Sequence, residues 1–219
     1  MVAIAGFGPG LGEALARRFT REGHVVAGMS RTPPPTDISL GCDGADAASV
    51  GRAFDAIEET APVSILIYNA AHFIRGPFAK TPADEFEQAW RTSALGAFNT
   101  AQRALPNMIA ARSGTMIFSG ATGSLRGAAS FSAFASAKFA LRGLAQSLAR
   151  ELGPQGIHVA HVVIDGLIWS ERTRQRFTAT ARESCLEPDD LAEAYWNLAA
   201  QPRTAWTHEL DLRPHAEKY

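Results

Sequence analysis

The sequence has few cysteines, no long apolar run and no excess of either charge. Cys42 and Cys185 are its two cysteines, too few for a disulfide framework, so we expect a reducing, cytoplasmic environment. No apolar run reaches the ~18 residues of a membrane helix, and the start of the chain indicates no signal peptide. Lys plus Arg is 21 and Asp plus Glu is 22, so we expect no nucleic-acid partner, which would require a basic face.

The composition is that of a globular protein with a substantial core. Hydrophobic residues make up 46% and charged residues 20% of the 219 residues, which are ordinary shares. Glycine and proline, at 19 and 12 residues, are too few for a low-complexity or disordered chain. The length suits one domain, and since no repeat or linker interrupts the chain we expect a single domain over 1–219.

Short apolar runs alternate with longer amphipathic segments along the chain. Expected strands lie at 2–5, 24–29, 39–42, 63–68, 115–119, 157–164 and 206–212. Expected helices lie at 10–22, 47–60, 82–112 (capped by Thr81), 131–152 and 188–200, and the proline-rich segment 32–37 is expected to be a loop. This alternation predicts an α/β fold with a doubly wound parallel sheet between two layers of helices. Ligands of such sheets bind at the carboxyl ends of the strands.

A glycine cluster joins the first expected strand to the first expected helix. Glycines at this place allow the backbone to approach a pyrophosphate, whose charge is stabilised by free N–H groups at the helix N-terminus. We therefore expect a dinucleotide-binding loop with contacts from Gly6, Phe7, Pro9, Gly10, Leu11 and Gly12.

The spacing of Gly6, Gly10 and Gly12 fits G-x-x-x-G-x-G and resembles the short-chain dehydrogenase/reductase family. The likeness continues in order through segments 42–44, 68–71, 90–98, 134–138 and 157–166. These are similar to the family's adenine-side aspartate, N-N-A-G, helix-four, Y-x-x-x-K and P-G segments. The resemblance implies a Rossmann-type fold and NAD(P)-dependent oxidation or reduction of a small carbonyl/alcohol substrate. It also implies a homodimer or homotetramer built on helices 82–112 and 131–152.

The resemblance further implies which residues contact the dinucleotide. Asp43 and Gly44 would lie near adenine, and Lys138 would bind the nicotinamide ribose hydroxyls. The remaining implied contacts are Asn69, Ala70 and Ala71 after the fourth strand, and Gly166, Ile168 and Ser170 near the nicotinamide carboxamide.

The choice between the two nicotinamide cofactors depends on the end of the second strand. An acidic residue there would bind a free ribose hydroxyl and repel a phosphate, but this sequence has Ser30 and Arg31. A guanidinium binds phosphate bidentately and stacks on adenine. The pair therefore favours NADP(H) over NAD(H).

The sequence departs from the family at the positions that carry its chemistry. Phe134 stands four residues before Lys138, where the family has its proton-donating tyrosine, and a phenyl ring has no proton to donate. Ser93 replaces the helix-four asparagine, and Asp165 replaces a proline, a change expected to alter the local turn.

The position of the family's catalytic serine stays open. Counting back from Phe134 reaches Ala121, a shift of one residue reaches Thr122, and Ser119 is the other option. His72 is a further candidate proton donor, because it follows the fourth strand and its ordinary pKa is about 6.5.

Two functions are compatible with these residues. The first is an NADP(H)-dependent oxidoreductase with a non-standard proton path, completed by water, Thr122, Ser119 or His72. The second is a non-catalytic NADP(H)-binding protein, a cofactor sensor or interaction subunit, which Phe134 favours.

Three further expectations concern other parts of the chain. Segment 171–186 is expected to cover the substrate cleft, and His158 and His161 are expected to be structural. No residue grouping has the spacing of a metal site.

Overall fold

The computed structural model describes residues 1–216, which form a seven-stranded parallel sheet with the order β3-β2-β1-β4-β5-β6-β7. The strands are β1 (Val2–Ala5), β2 (Val26–Ser30), β3 (Ile38–Gly41), β4 (Ile65–Tyr68), β5 (Gly114–Ser119), β6 (Ile157–Ile164) and β7 (Glu209–Leu212). The helices are α1 (Leu11–Arg21), α2 (Ala47–Glu58), α3 (Ala83–Trp90), α4 (Gly96–Ala111), α5 (Ser132–Leu152), α6 (Glu171–Arg176) and α7 (Pro188–Ala199). The predicted fold class is confirmed. The single domain expected over 1–219 stays a prediction, and its residues 217–219 lie outside the described part.

Helices cover both faces of the sheet and enclose two cores. One core packs Phe54 of α2 and Leu141 of α5 against Phe118 of β5. The other packs Phe19 of α1 and Tyr195 of α7 against the opposite face. Because the central strands are buried on both faces, their sequences are continuous apolar runs rather than alternating ones.

The connection from β2 to β3 is a short loop that returns across the sheet without a helix. Thr36 accepts a hydrogen bond from the Gly28 amide at 3.2 Å, and the Asp37 carboxylate accepts one from the Val26 amide at 3.1 Å. A Cβ on Gly28 would lie 2.7 Å from Pro34 Cγ, so glycine is required for this close approach. The predicted proline-rich loop is confirmed.

The prediction of one continuous helix over 82–112 is wrong. The chain forms α3, then a π-helical turn at Arg91–Leu95, then α4. The hydroxyl of buried Tyr68 donates a hydrogen bond to the carbonyl of Thr92 inside this turn. The π-helical turn thus presents a backbone acceptor to a side chain of the sheet. Thr81 does not cap α3 as expected; Pro82 occupies the N-cap, and the Thr81 hydroxyl donates to the Pro77 carbonyl at 3.2 Å.

Two aromatic residues expected within strands lie just before them. His24 precedes β2 and packs edge-to-face on Phe19, with ring centroids 6.0 Å apart. Trp206 precedes β7 and stacks on His158 at 5.0 Å. In both places a ring contact replaces the strand pairing that the apolar pattern predicted. Within residues 1–216, no helix has the length and apolar character needed to cross a membrane.

Candidate functional site

A cleft of about 880 Å³ lies at the carboxyl ends of β1, β2, β4, β5 and β6. Every site residue expected from the sequence lines it except Gly10. Gly10 lies directly behind the lining, where a Cβ would be 3.5 Å from Ser170 Cβ. The fold therefore brings together segments that are far apart in the chain, as expected for a parallel sheet.

The glycine loop is shaped by two close backbone approaches. Gly6 has φ +80°, and a Cβ there would overlap the backbone nitrogen of Ala70. A Cβ on Gly12 would lie 3.2 Å from Phe7 Cα. Helix α1 begins at Leu11, and its N-cap, Gly10, provides no side-chain hydrogen bond. The uncapped helix N-terminus thus faces the cleft, an arrangement that fits a bound pyrophosphate.

Ser30 and Arg31 at the end of β2 differ in whether their side chains are free to bind a ligand. The Ser30 hydroxyl donates to the Thr32 carbonyl within the turn, so it is already engaged. The Arg31 side chain is exposed at the cleft, and no residue in 1–216 forms an ion pair with it. Asp43, after β3, accepts a hydrogen bond from the Ala45 amide at 3.0 Å. Arg31 therefore offers a cation at this end of the cleft that no described residue neutralises.

Lys138 and Phe134 lie one helical turn apart on α5. Lys138 is buried, and its Nζ donates to the Ser119 carbonyl oxygen at 2.8 Å. Burial lowers the pKa of Lys138 to about 8, because desolvation disfavours the charged amine. Nζ lies 5.9 Å from the centroid of the Phe134 ring, so the ammonium has an apolar ring beside it that offers no proton.

Each polar side chain considered as a replacement donor already has a partner. The Ser119 hydroxyl is 2.8 Å from the Tyr195 hydroxyl on the α7 side of the sheet, because successive residues of β5 face opposite sides. The Thr122 hydroxyl donates to the carboxylate of Asp165. His72 Nε2 is 2.6 Å from Glu85 Oε2.

Asp165 is a buried carboxylate, 1% exposed, at the end of β6. Its Oδ2 lies 3.4 Å from Arg126 and 3.4 Å from Arg213, and its Oδ1 accepts the Thr122 hydrogen bond. A charge removed from water requires such partners. Sequence reasoning predicted only an altered turn here; the pairing with Thr122 spans 43 residues and had no local signal.

His161 is buried behind Gly120, and a Cβ on Gly120 would overlap its imidazole. Desolvation lowers the pKa of His161 to about 4, although Glu209 lies 3.8 Å from its Nδ1. Hydrogen bonds from Arg142 hold the pKa of Glu209 at about 2. His161 therefore stays neutral at physiological pH, in agreement with a structural role.

Acid should destabilise the protein through His161. Between pH 6.5 and 4 the histidine of the unfolded chain binds a proton, whereas His161 of the folded protein does not. The free energy of unfolding should therefore decrease by up to about 3 kcal/mol as the pH is lowered through this range. Urea unfolding at several pH values measures this fall. A His161→Phe variant keeps the ring volume without the titration and should show a flatter pH dependence. An equally steep fall in that variant would contradict the assignment.

A cluster of phenylalanines lines the cleft beyond Lys138. Phe73 packs edge-to-face on Phe131, Phe134 and Phe177, with centroid distances of 5.9, 5.2 and 6.4 Å. Sequence reasoning named only Phe134, since the others have no fixed spacing from it. Segment 171–186 forms α6 and a 3-10 turn at Arg182–Ser184, and it lines the cleft as expected through Arg172, Thr173, Arg176, Phe177, Thr180 and Ser184. In residues 1–216 no cluster of three or more His, Cys, Asp or Glu could hold a metal.

Known proteins resemble the chain over most of its length. The family described as short chain dehydrogenase matches residues 1–180. The 3-oxoacyl-[acyl-carrier-protein] reductase MabA of Mycobacterium tuberculosis is 34% identical over 176 residues, covering 79% of this chain and 71% of the relative. A crystal structure of a short-chain dehydrogenase from Rhodopseudomonas palustris is 32% identical with a TM-score of 0.84, covering 98% of each chain. A serine dehydrogenase complexed with NADP+ shares the fold at a TM-score of 0.88 and 20% identity, covering 100% and 97%.

Proposed function

The chain belongs to the short-chain dehydrogenase family of oxidoreductases, and on that premise we propose that it is an NADP(H)-dependent oxidoreductase acting on a carbonyl/alcohol pair without a tyrosine proton donor. Its relatives include reductases. The observation that carries the proposal is the cleft, which Arg31, the glycine loop and buried Lys138 all line. These are the groups that a ribose phosphate, a pyrophosphate and a nicotinamide ribose require.

The cofactor side of the cleft supports NADP(H) in particular. The close approach at Gly6 and the uncapped start of α1 suit a pyrophosphate. The guanidinium of Arg31 is free to pair with a ribose phosphate, and the Lys138 ammonium, which lines the cleft, keeps two N–H donors for ribose hydroxyls besides the one bound to the Ser119 carbonyl. The NADP+ named for one structural neighbour agrees with this choice.

The proton path is the unusual part of the proposed chemistry. Bound NADPH supplies the hydride, and the protein or solvent must then protonate the alkoxide. The Ser119 and Thr122 hydroxyls each have a single proton and are paired with Tyr195 and Asp165, whereas His72 pairs with Glu85 through Nε2 and has a second ring nitrogen. We therefore favour water or His72 as the donor. Without a well-placed acid the rate should be roughly 10²–10⁴-fold below that of a tyrosine enzyme.

Calorimetric titration should show micromolar binding of NADPH and much weaker binding of NADH. Arg31→Ala should weaken NADPH binding roughly 10- to 100-fold, since a hydrogen bond to a charged group contributes about 1.5–3 kcal/mol, and should leave NADH binding unchanged. Arg21→Ala, at the far end of α1, is the matched control and should change neither affinity. Absence of NADPH binding, or equal affinities for the two cofactors, would overturn the NADP(H) assignment.

Phe134 favours the alternative, a non-catalytic NADP(H)-binding protein that senses cofactor or serves as an interaction subunit. Its ring packs on Phe73 at 5.2 Å and contributes no donor to the cleft. Under this alternative NADPH binds but no carbonyl screen detects its oxidation.

We also propose a homodimer or homotetramer in the cytoplasm, with a small-molecule substrate and neither nucleic acid nor membrane as partner. Support for the oligomer comes from apolar side chains exposed on two helices that pack on the same core, Phe98 and Ile109 on α4 and Phe139 on α5, each more than 40% exposed. Large apolar groups left in water in this way are typical of surfaces that a second subunit covers.

A further inference from the structure

Beyond cofactor use, we propose that the substrate half of the cleft selects carbonyl compounds or alcohols that carry both an aromatic group and an anion, with Arg176 as the anion-binding residue and Arg172 as its helper. This inference rests on the proposed function and names the substrate class of the same site. It is carried by the phenylalanine cluster, by the charge of α6 and by the distribution of carboxylates around the cleft.

The apolar half of the recognition comes from the ring of phenylalanines around Phe73. The rings of Phe131, Phe134 and Phe177 meet Phe73 at interplanar angles of 68°, 62° and 85°, and all four side chains are half-buried. Edge-to-face arrangements of this kind extend readily to one more ring. An aryl group of the substrate could therefore pack among them next to Lys138.

The charged half comes from α6. The Arg176 guanidinium lies 4.7 Å from the Phe73 centroid and 5.8 Å from that of Phe177. Arg172 precedes it by one helical turn, so both side chains lie on one face of the helix and line the cleft. Arg174, between them, forms an ion pair with Glu171 at 2.6 Å. Neither Arg172 nor Arg176 forms an ion pair with any described residue.

A guanidinium stacked on a ring keeps its N–H edge available. That edge can donate two parallel hydrogen bonds to a carboxylate or a phosphate. The stack on Phe73 thus fixes an anion site next to the aromatic one, so that a single substrate can occupy both.

Among the described residues that line this end of the cleft none is a carboxylate, and the Glu85 carboxylate behind them is paired with His72. Among described residues, Asp43 is the one acidic residue lining the cleft, and it follows β3 on the cofactor side. Arg126 also lines the cleft, but its charge is shared with Asp165. The local field therefore favours an anionic substrate.

The position of Arg176 separates it from the cofactor. It stacks on Phe73, which touches Phe134, whereas the start of α6 lies against the glycine loop through Ser170 and Gly10. Arg172 is nearer to that start, so the two arginines are tested separately.

Calorimetry with naphthoate and its neutral counterpart naphthamide tests the proposal on the NADPH-loaded protein. We expect naphthoate to bind roughly 2- to 5-fold more tightly, a modest factor because both guanidiniums are exposed to solvent. Arg176→Gln should remove most of the preference and leave NADPH affinity unchanged. Arg174 is paired with Glu171 and does not line the cleft, so Arg174→Gln should retain the preference for naphthoate. Naphthyl phosphate in place of naphthoate identifies which anion is preferred.

Equal affinities for naphthoate and naphthamide would overturn the inference, and so would a preference that survives both Arg176→Gln and Arg172→Gln. Failure of NADPH to bind would count against the proposed function instead. In that case the same comparison on the protein alone still decides the anion selection. A loss of NADPH affinity in Arg172→Gln only would assign that residue to the cofactor and leave Arg176 as the anion site.

Discussion

Phe134→Tyr is expected to raise NADPH-dependent carbonyl reduction by roughly 10²–10⁴-fold, the usual contribution of a well-placed general acid. The new hydroxyl would enter the cleft beside Lys138, whose Nζ lies 5.9 Å from the present ring centroid. Lys138 is mostly protonated at neutral pH, because its pKa is about 8. A neighbouring ammonium lowers the pKa of a phenol from its ordinary value near 10, which would make the tyrosine an effective donor.

Phe78→Tyr is the matched control for this variant. It makes the same change at a ring that is 80% exposed and does not line the cleft, so it should leave the rate at the basal level. Initial rates of NADPH oxidation with aromatic aldehydes measure both variants. If neither exceeds the basal rate while both bind NADPH, the site is not assembled for chemistry and the non-catalytic alternative is favoured.

Gly6→Ala is expected to destabilise the fold by about 3 kcal/mol and to abolish measurable NADPH binding. About 1–2 kcal/mol comes from the left-handed conformation at φ +80°. A further 1–3 kcal/mol comes from overlap of the new Cβ with the Ala70 backbone. Since Asn69 Nδ2 also donates to the Gly6 carbonyl at 3.3 Å, the clash would displace both loops that line the cofactor half.

Gly8→Ala, two residues along the same loop, separates this effect from a general sensitivity to added bulk. A Cβ on Gly8 meets nothing within 4 Å, so its unfolding free energy should match that of the parent protein within about 0.5 kcal/mol. Urea unfolding and NADPH titration are measured on both variants. Similar losses in the two would mean that the close approach at Gly6 does not shape the loop.

Local patterns in the sequence predicted the fold and the residues expected in the cofactor half of the site. Strands buried on both faces appear as apolar runs such as 157–164, and the glycine loop is contiguous, so each can be predicted from neighbouring residues. Phe134 and Lys138 are four residues apart, and helical periodicity alone brings them to one face. The break of the expected helix 82–112 was not predictable in this way, because its contact with the sheet, from the Tyr68 hydroxyl to the Thr92 carbonyl, joins residues 24 positions apart.

The sequence by itself thus determined the layers of the fold, the loop for a dinucleotide, and the absence of a tyrosine four residues before Lys138. Only the tertiary structure decided which polar groups remain free in the cleft. The Ser119 hydroxyl is engaged by Tyr195, 76 residues away, and Thr122 by Asp165, while Arg176 is stacked on Phe73. The physical reason is range: backbone geometry and periodicity depend on residues a few positions apart, whereas these pairs depend on which strand ends and loops the packed sheet brings together.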